Sequence, residues 1–226
     1  MSIRALIGAL GKAGTGKSTK IRELAAPCRR LFVADPEGTW EQPVDVVVES
    51  APAMFDALRQ LHAYDPKQPF KLLYRDSFDR MRWATGLAVF AIGHCTLLID
   101  ELVWVCTAQY APPPLLRLVQ EGRKKRINIL YTTREPQEIH NMFLSQANRL
   151  YFYRIERGNG LTRVKRDWPD LAAKLPTLCE YPGPRHPAEF CTYGNPAIEN
   201  LLGVEGLDFD PERILNSARR KLRRDA

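Results

Sequence analysis

Eight residues near the start of the chain, Gly11-Lys12-Ala13-Gly14-Thr15-Gly16-Lys17-Ser18, have the types and spacing G-x-x-x-x-G-K-[ST]. Such a run cradles a row of phosphates. Its glycines let backbone N–H groups turn inward with no Cβ in the way. A helix starting near Lys17 would aim its positive dipole end at the same anion. Lys17 would serve as a point charge for the outer phosphates, Ser18 would offer its hydroxyl oxygen to Mg²⁺, and Thr19 belongs to the same phosphate-binding run. The chain has no Asn-Lys-x-Asp run for reading guanine, so the ligand this predicts is ATP with Mg²⁺.

A second group lies some eighty residues on, where the apolar run Thr96-Leu97-Leu98-Ile99 ends in Asp100-Glu101. Asp100 is placed to hold Mg²⁺, mostly through water, opposite Ser18. Glu101 is placed to polarise an attacking water. A second acid beside the magnesium acid points to hydrolysis rather than to transfer onto a bound hydroxyl.

These groups need strands to end where they sit. Ile3 to Leu10 reads as a buried strand before the phosphate loop, and Ser18 to Ala25 as a helix after it. Strands are expected at Leu31 to Ala34, Val44 to Val48, Phe70 to Tyr74, Leu97 to Ile99, Ile127 to Tyr131 and Leu150 to Ile155. Helices are expected over Pro52 to His62, Phe78 to His94 and Pro113 to Lys125, the second with so few polar positions that it reads as well buried. Alternating strands and helices predict an α/β fold, a mainly parallel sheet with helices on both faces, and the phosphate loop after its first strand makes the P-loop NTPase kind the expected one. Residues 1–168 form the expected core. From Pro169 the prolines crowd (Pro176, Pro182, Pro184, Pro187, Pro196), which predicts a loop-rich extension over 169–226 in the same structural domain rather than sheet. It should end in a basic helix from Pro211, carrying Arg219, Arg220, Lys221, Arg223 and Arg224.

Composition sets outer bounds. The 226 residues are 45% hydrophobic and 26% charged, average for a globular protein and against wholesale disorder. Lys and Arg number 33 against 26 Asp and Glu, a net +7 that suits a phosphate-rich partner. The five cysteines form no CxxC pair, which argues against a zinc ribbon or disulfide framework and for a reducing compartment. No signal peptide is read at the start, and the most apolar stretch, Ala84 to Ile92, is about half the ~20 residues a membrane helix needs. A soluble, cytoplasmic protein with no transmembrane segment is expected.

Three motifs together resemble the FtsK–HerA superfamily of DNA-pumping ATPases: the phosphate loop, the turn Asp35-Pro36-Glu37-Gly38-Thr39, similar to the family's Asp-Pro-x-Gly turn, and the block from Leu98 to Pro136. That block joins the acid pair to the helix end Glu121-Gly122-Arg123-Lys124-Lys125-Arg126, the strand Ile127 to Tyr131, and Thr132-Thr133-Arg134-Glu135-Pro136. The resemblance spans roughly residues 3–155. It implies a sensor for the γ-phosphate at the end of that strand; where the family has glutamine this chain offers Arg134, with Thr133 before it. It also implies an arginine finger reaching the neighbouring subunit's ATP, with Arg123 and Arg126 as candidates.

The length is similar to that of the minimal genome-packaging ATPases of tailless, internal-membrane double-stranded DNA viruses. The resemblance therefore implies a hexameric ring that drives duplex DNA, without reading its sequence, into a preformed capsid. Its partners would be capsid or portal-vertex components, and its place the host cytoplasm or the virion vertex. Lys124, Lys125 and Arg126, Arg163, Lys165 and Arg166, and the terminal arginines are candidate phosphate-backbone contacts. Three alternatives stand beside it: a related P-loop motor for phage extrusion or DNA transfer, a P-loop kinase acting on a nucleoside or small metabolite, and a non-motor ATP switch that binds a partner in a defence or partition system.

Overall fold

The computed structural model describes residues 4–64, 67–156, 158–178 and 188–205. The expected basic helix from Pro211 lies outside them. The phosphate loop joins β1 (Leu6–Leu10) to α1 (Lys17–Ala25). Then come β2 (Arg30–Ala34), β3 (Val46–Val48), α2 (Ala51–Tyr64), β4 (Phe70–Tyr74), α3 (Phe78–Ile92) and β5 (Thr96–Ile99). The chain continues through α4 (Pro113–Glu121), β6 (Asn128–Thr133), α5 (Asn141–Ser145) and β7 (Arg149–Phe152), then α6 (Asn159–Asp167), α7 (Pro169–Ala172) and β8 (Cys191–Gly194).

The strands form one sheet in the order β3-β4-β2-β5-β6-β1-β7-β8. All pairings are parallel except β7 with β8. Alternate residues of each central strand feed two separate cores, as a strand's period of two requires. Leu6 and Leu10 of β1 face the side covered by α2, α3, α4 and α5, while Ile7 and Ala9 face α1 and the turn Pro196–Leu201. Because both faces are covered, the central strands read as continuous apolar runs. That periodicity makes β1, β2, β4 and β5 visible in the sequence, and β4 has the bounds expected for it.

Two expectations change. The proline-rich extension contributes a strand: Cys191–Gly194 pairs antiparallel with β7 in the register Arg149↔Gly194. Prolines stop helices and central strands, but a short edge strand between them loses no ladder bonds to them. Beyond it Ala197, Ile198, Leu201 and Leu202 pack under α1. The second change is on α3, which is not buried all round. Met81, Ala84, Ala88 and Val89 face the core, but Trp83 and Leu87 are about half exposed, at 47% and 51%. The helix covers the sheet with one face, and few polar residues on its outer face do not imply a partner there.

The helical layer is close-set where α3 meets α4. A Cβ on Gly86 would fall 2.6 Å from the carbonyl carbon of Pro114 and 2.8 Å from the nitrogen of Leu115, backbone atoms that cannot step aside. Gly86→Val is therefore expected to destabilise the fold by roughly 1–3 kcal/mol, lowering the melting temperature by about 2–4 °C per kcal/mol. Calorimetry of the purified variant checks this; an unchanged melting temperature would show that α3 and α4 are not packed this tightly.

Candidate active site

Strand order decides which loops meet. β6 lies between β1 and β5, so the phosphate loop and the acid pair are separated by two strand spacings, about 10 Å at the sheet. The carboxyl ends of β1, β2, β5 and β6 open on one edge, where ligands of parallel sheets bind.

The loop after β1 turns on glycines. Gly11 has φ 141°, and a Cβ there would lie 2.8 Å from Cβ of Tyr153. Gly16, at φ 92°, precedes α1 as its N-cap without a side chain to block the first turn, so the helix's leading N–H groups face the loop. Within the loop Thr15 Oγ1 donates to Lys12 O at 2.8 Å, and Lys17 Nζ donates to the same carbonyl at 2.9 Å. Lys17 is buried. Burial pushes its ammonium pKa down, against the pull of Glu101, Asp100 and Glu37. Ala13 and Gly14 form the outer rim; Ser18 and Thr19 open α1.

Asp100 is a hub. Its Oδ1 accepts from Ser18 Oγ at 3.1 Å and from Thr132 Oγ1 at 2.8 Å, and its Oδ2 accepts from Thr39 Oγ1 at 3.4 Å. Arg22 Nη2 lies 3.9 Å from Oδ2. Thr39 arrives through the turn after β2, where Asp35 accepts the N–H groups of Thr39 and Trp40, each at 3.0 Å. Glu101 follows with φ 61° and ψ 80°, a left-handed conformation unusual for a side chain of its size. Its N–H donates to Thr132 Oγ1 at 2.7 Å. Its carboxylate accepts from the Arg134 N–H at 3.1 Å and from Arg134 Nε at 3.2 Å. Burial raises the Glu101 pKa, opposed by the Arg134 N–H and by the charges of Lys17 and Arg134.

The expected sensor residues sit differently from one another. Arg134 lies beside Glu101, bonded to it and, through Nη2, to Glu37 at 3.1 Å. Thr133 faces the other side of the sheet, fully buried, its hydroxyl 3.5 Å from Glu135 O. The threonine that meets the acids is Thr132, which sequence reading passed over. The signal was parity. Ile99 pairs with Tyr131, so Asp100 falls opposite Thr132, on the face of Leu98 and Leu130. Arg123 and Arg126 are not brought to this edge. They precede β6 at its opposite end, about 20 Å away at ~3.3 Å per residue of strand.

No protein-family profile matches the chain, and no curated protein matches it in sequence. Its fold is that of the P-loop NTPases. The genome-packaging NTPase B204 from Sulfolobus turreted icosahedral virus 2, solved in complex with ATP-γS, superposes with a TM-score of 0.64 at 16% identity, over 86% of this chain and 93% of that one. B204, the DNA-packaging ATPase from Sulfolobus turreted icosahedral virus, matches with a TM-score of 0.58 at 18% identity, over 80% and 91%. The likeness to packaging ATPases expected from the three motifs is thus found at the level of the fold.

Thr132→Val keeps the side chain's shape but removes the hydroxyl shared by Asp100 and Glu101. It leaves the Glu101 N–H buried without an acceptor, at a cost of about 1–3 kcal/mol. Thr132→Ser should restore most of that. Urea unfolding of the three proteins tests this, and equal midpoints would mean the hydroxyl holds nothing.

Proposed function

We propose that the chain is an Mg²⁺-dependent ATPase that moves double-stranded DNA, and that its task is to package a viral genome into a preformed capsid. The observation that carries the hydrolytic part is the meeting of Ser18, Asp100 and Glu101 at the mouth of the phosphate loop. Gly11 to Thr19 would wrap the phosphates. Among the described residues no cluster of three or more His, Cys, Asp or Glu side chains forms a metal cage. Ser18 and Asp100 are instead two hard oxygens 3.1 Å apart, the sparse protein share that suits Mg²⁺ when phosphates and water supply its other ligands. Bound there, the ion would supply charge neutralisation between the phosphates. Glu101 would take the proton of the attacking water, and its raised pKa suits that task.

Support for the DNA part is the DNA-packaging role of B204, whose fold this chain shares, together with the net charge of +7. No helix among the described residues is long and apolar enough to cross a membrane. Arg123 and Arg126, at the far end of β6, cannot reach the phosphate loop of their own subunit. As arginine fingers they would act on a neighbour's nucleotide, an arrangement a closed ring would repeat at every seam, a hexamer on the family resemblance. Capsid or portal-vertex components would be the docking partners, in the host cytoplasm or at the virion vertex.

Lys17→Ala should weaken ATP affinity by about 10–100-fold, the worth of a charge-assisted contact. Glu101→Gln should bind ATP normally and lose about 10²–10⁴-fold in turnover; phosphate-release assays beside binding titrations separate the two, and full turnover in Glu101→Gln would overturn the mechanism. Affinity for unrelated duplexes should be equal and should fall with salt, with a log–log slope of about −0.9 per phosphate contact. A flat salt response would remove DNA as the cargo.

A further inference from the structure

The bonds beside Glu101 extend through three more side chains. Arg134 Nε reaches Glu101, and its Nη2 reaches Glu37 Oε1 at 3.1 Å. The same Glu37 oxygen accepts from the indole Nε1 of Trp104 at 2.8 Å. The Trp104 ring lies flat on Phe78, with centroids 4.7 Å apart and planes 8° from parallel. Four elements thus converge: the turn after β2, the single turn Leu102–Trp104 after β5, the end of β6 and the start of α3.

Each link limits a freedom that would otherwise blur the site. Arg134 is half exposed, and a guanidinium anchored at one carboxylate can swivel about that contact. A second carboxylate on another element fixes its plane. Glu37 is a flexible side chain on a turn, and one indole N–H selects its rotamer. Trp104 could swing outward with the loop, but the stack on Phe78 opposes this. Glu37 belongs to neither the phosphate loop nor the acid pair; its bond to Arg134 is what ties it to Glu101.

We propose that Glu37 is a positioning residue for hydrolysis: held by Trp104, it fixes the Arg134 guanidinium and, through it, the Glu101 carboxylate. The inference rests on the reading that Glu101 lines up the attacking water. It requires an acceptor oxygen at position 37 rather than a charge, since both bonds end on one oxygen. An amide can supply that oxygen.

The test is steady-state ATPase kinetics of the full chain, with kcat and KM resolved, ATP affinity measured by titration, and melting temperatures as a check on folding. Glu37→Ala should lower kcat about tenfold or more, as expected when a reacting group loses its alignment, with KM within about twofold. Glu37→Gln should recover most of that loss. Trp104→Phe, which keeps the ring stack and removes the N–H, should lower kcat in the same direction by less. The double variant Glu37→Ala with Arg134→Ala should turn over no more slowly than Arg134→Ala by itself, because the effect passes through Arg134. Unchanged kcat in Glu37→Ala, or losses that multiply in the double variant, would overturn the inference. Glu101→Gln run alongside separates the two levels. If it too keeps full turnover, the hydrolytic reading falls; if it is inactive while Glu37→Ala is unaffected, only the role of Glu37 falls.

Discussion

The hydroxyl of Thr132 is the joint on which the site's geometry depends. It donates to Asp100 and accepts from the N–H of Glu101, so one oxygen fixes both a carboxylate and the backbone beside it. In an extended strand, successive side chains point to opposite faces. Asp100 and Glu101 escape that rule because the chain turns left-handed at Glu101, a conformation that costs a non-glycine residue roughly 1–3 kcal/mol. The turn swings both acids to the same end of the sheet, one toward Ser18 and the other toward Arg134. Thr132 and the Arg134 N–H are the two groups that offset the strain.

That joint exists because of strand order. With β6 between β5 and β1, its Thr132 hydroxyl braces Asp100 where that acid meets Ser18 of the phosphate loop. The spacer strand carries residues for both faces. Tyr131 packs toward α5 and fills the space left by Gly8 on the neighbouring strand, where a Cβ would lie 2.4 Å from the ring. Thr132 turns to the loop. The same strand therefore fills the core on one face and supports the site on the other.

What the sequence made legible follows from which signals are local. The phosphate loop and acid pair are short strings with strong chemical demands, and the central strands are apolar on both faces. Thr132 and Thr133 are adjacent residues of one type, and choosing between them needs the register with β5, a contact between segments about thirty residues apart. The strand Cys191–Gly194 is short, half exposed and set among prolines, so its pattern is no stronger than that of a loop; its pairing with β7 defines it. Helix α6 is hidden in the sequence for a related reason. It has a polar sequence, Asn159-Gly160-Leu161-Thr162-Arg163-Val164-Lys165-Arg166-Asp167, with little beyond Val164 buried in the core. The exposed side of α3 erred in the other direction, because composition along a helix does not say how much of it another layer covers.

Charge bookkeeping at the edge of the sheet bears on how the proposed motor would work. The cations nearest the acid pair, Lys17, Arg22 and Arg134, stand against Asp100, Glu101 and Glu37. Arg22 donates to the Thr39 carbonyl at 2.9 Å and lies 3.9 Å from Asp100, while Arg134 is shared between two carboxylates. On the proposed reading, an ATP transition state gathers negative charge on the γ-phosphoryl oxygens, and a local arginine could meet it only by leaving an acid behind in a poorly solvated site, which is costly. A cation supplied from outside the subunit avoids that cost. On that same reading Arg123 and Arg126, at the opposite end of β6, would supply the cation to a neighbouring copy, and hydrolysis in a site that balances its own charges internally would wait on that neighbour.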